Sequence, residues 1–146
     1  MSSALLLHPH PLPRRTIRQA LRSAGMERVL EADSAAEALR LLSAELVALV
    51  LTPWEVPDLA GRPLVQALRN RGRNRNLPVV LLDAGLAPPQ VVAAVKAGIA
   101  GRLALPADAG AVRALLAQLV AEGVLPAPAP AGTKPRPTGA RPKTES

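Results

Sequence analysis

The chain has 146 residues, a formal net charge of +7 and 49% hydrophobic residues, with Trp54 as its only aromatic residue. This length is typical of one domain, and its core must consist mainly of Leu, Val and Ala. Because cysteine is absent, a disulfide framework, a thiolate zinc site and a cysteine nucleophile are excluded.

Short apolar runs predict five strands. In chain order they are Ala4 to Leu7, Val29 to Ala32, Val47 to Leu51, the run "LPVVLLDAG" and the run "RLAL". The third run is apolar and partly β-branched, which is typical of a strand covered on both faces. Residues that favour turns follow it, from Trp54 to Gly61. The third run therefore predicts a buried strand that ends in a sharp turn.

Helical segments separate these strands. After "HPHPLP" breaks the first strand, "RRTIRQALRSAG" predicts a helix that ends at Gly25, a residue type common just after a helix. Ser34 and Glu37 predict the capping box of a second helix. The remaining helices are predicted from about Arg62 to Asn70, in "APPQVVAAVKAG" and in "DAGAVRALLAQLVAEG". This alternation predicts a doubly wound α/β fold, in which a five-stranded parallel sheet has helices on both faces.

The composition changes from Pro126 onward. Residues 126–146 are rich in Pro, Ala and Gly, and they carry four cations against one Glu. Such a segment cannot bury enough apolar surface to become ordered. The sequence therefore predicts a domain over residues 1–125 and a disordered basic tail over residues 126–146. No run approaches the ~20 apolar residues of a membrane span, and no cations precede the first apolar run as in a secretory signal, so a soluble cytoplasmic protein is expected.

Three segments resemble the receiver domain of bacterial response regulators, the CheY-like family. The segment "TPWEVPDLAG" resembles the loop that carries the phosphoacceptor of that family, with Val56-Pro57 and Gly61 in place. The segments "LPVVLLDAG" and "AVKAGIAGRLALP" resemble the fourth strand and the region of the fifth strand. The resemblance extends from Ala4 to about Glu122, and it implies a flavodoxin-like (βα)5 fold.

The resemblance also implies which positions should carry the phosphorylation chemistry, and each of them holds a different residue type here. In chain order these positions are His8 and Pro9 for the acidic pair that binds magnesium, Pro53 for the phosphoacceptor aspartate, Asp83 for the hydroxyl residue, Arg102 for the aromatic switch residue and Leu105 for the lysine. Proline supplies no nucleophile, and one imidazole without a carboxylate pair is a poor ligand set for magnesium. We therefore expect a pseudo-receiver that is not an enzyme, cannot be phosphorylated and requires no metal or other cofactor.

The segment "HPH" allows two interpretations. His8 and His10 could converge with Asp83 or Glu55 on zinc or nickel. The favoured interpretation is a loop stiffened by proline in which both histidines are solvated. Asp83 is likewise expected to cap the turn before Gly85, with mimicry of a phosphoryl charge as the alternative.

Two basic sets are candidates for partner contacts. Arg14, Arg18 and Arg22 line one face of the first helix, where receivers commonly meet a histidine kinase or a phosphotransfer protein. The second set is a candidate anion contact and consists of Arg69, Arg71, Arg73 and Arg75. The main hypothesis is a protein-interaction module in two-component signalling, which binds a kinase, a phosphotransfer protein or another regulator, with a homodimer through the fourth and fifth helices as a further expectation. The alternative is a nucleic-acid-associated protein that uses the basic loop and the basic tail.

Overall fold

Strands and helices alternate through residues 3–71 and 77–125, the residues that the computed structural model describes. The strands are β1 (Ser3–Leu7), β2 (Arg28–Ala32), β3 (Leu49–Pro53), β4 (Glu55–Val56), β5 (Leu59–Ala60), β6 (Val79–Asp83) and β7 (Gly101–Ala104). The helices are α1 (Pro11–Ser23), α2 (Ala35–Ala44), α3 (Arg62–Arg71), α4 (Pro88–Lys96) and α5 (Ala109–Ala121). All five predicted strands and all five predicted helices are therefore present.

The five longer strands form one parallel sheet in the order β2-β1-β3-β6-β7. This order confirms the predicted doubly wound α/β fold, since the chain moves outward from β1 first in one direction and then in the other. β4 and β5 form a small antiparallel hairpin between β3 and α3. The sequence predicted this segment as a turn without strands.

Apolar side chains on both faces of the sheet create two cores. In β1, Leu5 and Leu7 pack towards α2, α3 and α4, whereas Ala4 and Leu6 pack towards α1 and α5. The other central strands alternate in the same way, because successive side chains of a strand point to opposite faces. A sheet covered on both faces requires such continuous apolar runs.

The bounds of two elements differ from the prediction. β3 is displaced by two residues along the chain from the predicted Val47 to Leu51, and it includes Pro53, which lies in register with Leu82 of β6. Proline is accepted there because it is the last residue of the strand. α1 begins at Pro11 rather than at Arg14. Proline is favourable in the first turn of a helix, where its missing N–H would have no intrahelical partner.

The N-terminus of α2 is capped from two directions. The Ser34 hydroxyl accepts the Glu37 N–H at 3.2 Å, which is one half of the predicted capping box. The Glu37 carboxylate pairs with Arg40. Asp58, in the hairpin turn, accepts the N–H groups of Ala35 at 2.9 Å and Ala36 at 3.0 Å. These two bonds lower the pKa of Asp58 and fix the hairpin against α2.

The predicted tail over residues 126–146 lies outside the described residues, so the domain boundary at residue 125 stays a prediction.

Gly25 follows α1 with φ +105°, as expected for a residue just after a helix. Among the helices in residues 3–71 and 77–125, none is long and apolar enough to cross a membrane.

Candidate functional site

The sheet topology brings the predicted pocket positions to one edge. β1, β3, β6 and β7 are neighbours in the sheet and run parallel, so their carboxyl ends meet at the same edge. The positions that close these strands or follow them are His8, Pro9, Pro53, Asp83 and Leu105. The fold thus places them at the edge where open α/β sheets bind ligands.

His8 follows β1 and is buried, with 9% of its surface exposed. The prediction that it is solvated is therefore wrong. Its N–H donates to the Ala32 carbonyl at 3.0 Å, which continues the contact of β1 with β2, and its Nδ1 accepts the His10 N–H at 3.1 Å. Burial, together with the nearby charges of His10 and Arg14, lowers the pKa of His8 and favours the neutral imidazole.

The histidine pair is a poor metal site. The ring centroids of His8 and His10 are 5.7 Å apart, and Nδ1 of His8 is already occupied by the His10 N–H. Within residues 3–71 and 77–125, no group of three or more His, Asp or Glu side chains is arranged to hold a metal ion. Pro9 and Pro53 carry no oxygen in their side chains, so these positions do not fit magnesium, which prefers oxygen ligands.

Pro53, the residue predicted to stand at the phosphoacceptor position, has apolar and hydrogen-bonded neighbours. The preceding Thr52 is fully buried, and its hydroxyl donates to the Pro53 carbonyl at 2.9 Å. The following Trp54 is 7% exposed and belongs to the core on the α2, α3 and α4 side of the sheet. The end of β3 therefore has no nucleophilic side chain at this position and is held by packing.

Asp83 has three hydrogen-bond donors at the end of β6. Its Oδ1 accepts the N–H groups of Gly85 at 2.9 Å and Leu86 at 2.8 Å, which confirms the predicted cap of this turn. Its Oδ2 pairs with Nη1 of Arg102 in β7 at 3.1 Å. The N–H groups of Leu86 and Gly85, and then the charge of Arg102, lower the pKa of Asp83. The residues at the predicted hydroxyl and aromatic positions are thus joined by an ion pair, which the sequence analysis did not foresee.

Leu105 occupies the predicted lysine position just after β7. Its N–H donates to the Asp83 carbonyl at 2.8 Å, and the side chain packs against the core on the α1 and α5 side. The Leu105–Pro106 peptide bond is cis. The side chain therefore supplies neither a positive charge nor a hydrogen-bond donor to the pocket.

The predicted docking stripe on α1 is partly engaged within the domain. Arg14 and Arg18 both pair with Glu31 of β2, at 3.3 and 3.1 Å, and Arg14 also donates to the His8 carbonyl at 2.9 Å. The exposed member of the stripe is Arg22. A cleft of about 290 Å³ beside this network is lined by Arg14, Glu31, Ala32, Asp33 and Glu37. Sequence reasoning missed Glu31, because its partners lie 13 and 17 residues away in the chain.

Half of the candidate anion contact also faces the domain. Arg69 donates to the carbonyls of Ala97 at 3.2 Å and Gly98 at 2.6 Å, and Arg71 donates to the Ser43 hydroxyl at 3.2 Å. Arg73 and Arg75 lie outside the described residues, so their part in an anion contact stays a prediction. Arg69 at least has a structural role, since it contacts the C-terminus of α4.

Sequence comparison identifies clear relatives. The response regulator receiver domain family matches residues 5–117. The chain is similar to the chemotaxis protein CheY of Pseudomonas aeruginosa, with 32% identity over 93 residues that cover 64% of this chain and 75% of the relative. It is also similar to the chemotaxis protein CheY1 of Helicobacter pylori, with 34% identity over 87 residues that cover 59% of this chain and 70% of the relative.

Structure comparison finds the same fold. Chemotaxis protein CheY4 of Vibrio cholerae superposes with a TM-score of 0.73 at 20% identity, over 81% of this chain and 98% of that one. The signal receiver domain of a histidine kinase from Syntrophus aciditrophicus gives a TM-score of 0.70 at 20% identity, over 84% of this chain and 92% of that one. At this level of identity, the two superpositions establish the fold alone.

Proposed function

The chain belongs to the response regulator receiver domain family, and we propose that it is a receiver that cannot be phosphorylated and that acts by binding other proteins. Membership makes it a module of two-component signalling, in which receivers are in general not enzymes. The observation that carries the proposal is Pro53 at the carboxyl end of β3, where the family has its phosphoacceptor aspartate.

The chemistry of phosphoryl transfer supports this proposal. An aspartyl phosphate forms when a carboxylate attacks phosphorus while positive charge neutralises the phosphoryl oxygens. Pro53 has no electron pair in its side chain to attack with, and Leu105 has no charge. Asp83 adds negative charge on the side where the phosphoryl oxygens would lie, and hydrogen bonds and Arg102 keep it ionised. The predicted positions thus lack the nucleophile and the lysine charge, and they hold a carboxylate on the side of the phosphoryl oxygens.

Incubation with acetyl phosphate and magnesium tests the phosphorylation part. The intact mass of the chain should stay unchanged under conditions that modify a phosphorylatable receiver in the same tube. The matched variant Pro53→Asp, which supplies only the nucleophile, should also stay unmodified because magnesium ligands and the lysine are still missing. One phosphoryl adduct on the unaltered chain would contradict the proposal.

A histidine kinase, a phosphotransfer protein or another regulator is the proposed partner, and the exposed face of α1 is the proposed contact. Arg22 is the best member of the stripe for this role, since Arg14 and Arg18 are held by Glu31. A pull-down from the native cell extract should capture such a protein, and Arg22→Glu should weaken the capture. Arg62→Glu, at an exposed position on the other side of the sheet, is the matched control. Equal capture by both variants would contradict docking on α1.

A further inference from the structure

α4 buries fewer and smaller apolar side chains than the neighbouring helix α3. It fully buries only Ala94, whereas its neighbour α3 buries three larger side chains, Leu64, Val65 and Leu68. Val92 and Val95 of α4 face solvent, with 52% and 61% of their surface exposed. Because apolar burial is the main force that fixes a helix to a sheet, packing alone should hold α4 less firmly than α3, although Ala93 and Ala97 also contact the core.

A polar contact compensates at the N-terminal end of α4. The Asp83 carboxylate binds the N–H groups of Gly85 and Leu86, which lie in the loop that leads into α4. Its other oxygen binds Arg102 of β7. One side chain thus connects the end of β6, the start of the α4 segment and the neighbouring strand.

A second polar contact lies at the C-terminal end of α4. Arg69 of α3 donates from both Nη atoms to the carbonyls of Ala97 and Gly98. These carbonyls carry the partial negative charge of a helix C-terminus, which a guanidinium stabilises. Gly98 has φ +89°, and a Cβ there would stand 3.2 Å from Nη1 of Arg69. The positive φ therefore favours glycine at this position, and a Cβ would require the Arg69 guanidinium to shift slightly.

We propose that Asp83, Arg102 and Arg69 together hold α4 in one position, so that the surface with Val92 and Val95 is presented in a single arrangement. This inference rests on the proposed function, since a pocket that is never phosphorylated would leave these contacts unopposed. The position of α4 is then determined by these side chains and does not depend on phosphorylation. Side chains at the two ends of α4 do what packing along its length does for α3.

Amide hydrogen exchange on the full chain, read by NMR without any phosphodonor, tests the proposal. Asp83→Ala removes the acceptor, so the Gly85 and Leu86 amides should exchange about tenfold faster, as expected for one lost hydrogen bond each. Asp83→Asn keeps an acceptor oxygen and should accelerate them less. The double variant Asp83→Ala/Arg69→Ala should accelerate exchange of the α4 amides about tenfold or more, while the amides of α2 and α5 keep their rates.

Arg40→Ala is the matched control, because it breaks the exposed ion pair with Glu37 on α2 and should leave α4 unchanged. Equal α4 rates in the double variant and the unaltered chain would overturn the proposal, as would two exchanging populations of α4 in the unaltered chain. If the double variant unfolds, exchange rises in α5 as well. The α4 exchange rates are then compared between the unaltered chain and the singly altered chains Asp83→Asn and Arg102→Ala, and equal rates overturn the proposal. The proposed function is tested separately: a phosphoryl adduct seen in the intact mass would contradict it, whereas the exchange rates are measured without a phosphodonor and do not depend on that result.

Discussion

β3 passes from one chemical environment into another within five residues. Its first part, Leu49 to Leu51, is fully buried between two helical layers, and each side chain has the apolar character that a doubly covered strand requires. Its last residue, Pro53, is partly exposed at the carboxyl edge, where the resemblance predicts the phosphoacceptor position. β1 shows a related contrast, since the apolar Leu5 and Leu6 are followed by His8, which is buried but polar and hydrogen-bonded. The interior of the sheet and its carboxyl edge therefore satisfy separate requirements.

The difference has an energetic basis. Full burial of a Leu or Val side chain contributes about 1.5–3 kcal/mol, and many such residues line the two faces of this sheet. The side chains at the carboxyl edge contribute mainly hydrogen bonds and partly exposed ion pairs, which in general stabilise a fold less than the full burial of a Leu side chain does. The stability of this fold is therefore expected to come mainly from the interior of the sheet, whatever side chains stand at its carboxyl edge.

The largest effect is expected from a truncation in the interior. Leu6→Ala removes a fully buried side chain from the core on the α1 and α5 side, and it should lower the free energy of unfolding by about 3 kcal/mol. Leu12→Ala is the matched control close to the carboxyl edge, where the side chain is 73% exposed, and it should cost less than about 0.5 kcal/mol. Urea unfolding measures both changes. Similar losses would remove the energetic distinction between the two regions.

A smaller effect is expected at the edge and depends on pH. Because the pKa of His8 is lowered below its ordinary value of 6.5, the folded state favours the neutral imidazole. The contribution of His8 to stability is therefore complete above the pKa of the unfolded chain, and it declines as the pH falls through 6.5 towards the folded-state pKa. His8→Asn keeps an acceptor for the His10 N–H and cannot become charged. This variant should flatten the decline in unfolding free energy as the pH falls below 6.5.

The edge carboxylates belong to a different window of pH. The pKa values of Asp58 and Asp83 are lowered from 3.8 by backbone N–H groups, so their contribution is present above 3.8 and declines below it. They do not interfere with the His8 measurement. If the unfolding free energy of His8→Asn and that of the unaltered chain depend equally on pH in this range, the burial of His8 at the end of β1 has no electrostatic cost.

The interior was largely predictable from the sequence, because period and turn signals are local. The runs at Ala4 to Leu7 and Val29 to Ala32 predicted β1 and β2 to within one residue at the start of each. Errors occurred where proline has two possible meanings. Pro11 was taken to break structure but begins α1, and the predicted third strand stopped at Leu51, although Pro53 is the last residue of β3, as expected for a proline that ends a central strand. In both cases the decisive fact is whether the missing N–H would have had a partner, which only the fold determines.

The edge was predictable in position but not in contacts. The resemblance placed Asp83 and Arg102 at functional positions, and the cap on Gly85 follows from local spacing. Their ion pair joins residues 19 apart, and the contact of Arg69 with Gly98 spans 29 residues. Pairs of this kind depend on the order of the strands and on the packing of the helices. No local motif in this chain predicts them. His8 illustrates the same limit, since its burial comes from neighbouring segments.

The smallest expected effect concerns ligands at the edge and uses Trp54 as a probe. Its indole is buried beside Pro53, so a metal ion held at this edge would change the field around it. Because Pro9 and Pro53 offer no oxygen ligands from their side chains, millimolar magnesium should leave the fluorescence of Trp54 unchanged. In a competent receiver pocket with a tryptophan at this position, the same titration would be expected to alter the emission.

Zinc and nickel extend this test to the histidines. Nδ1 of His8 is occupied by the His10 N–H, which leaves Nε2 as the nitrogen free to bind a metal, and a lone imidazole binds zinc weakly. We therefore expect no change in Trp54 emission at micromolar zinc or nickel. A saturable change that His8→Ala abolishes would contradict this expectation, since it would require a second ligand from His10, Asp83 or Glu55 to converge with His8 on the metal. The carboxyl edge would then be a metal-binding site, and it would differ from the interior of the sheet by binding a ligand.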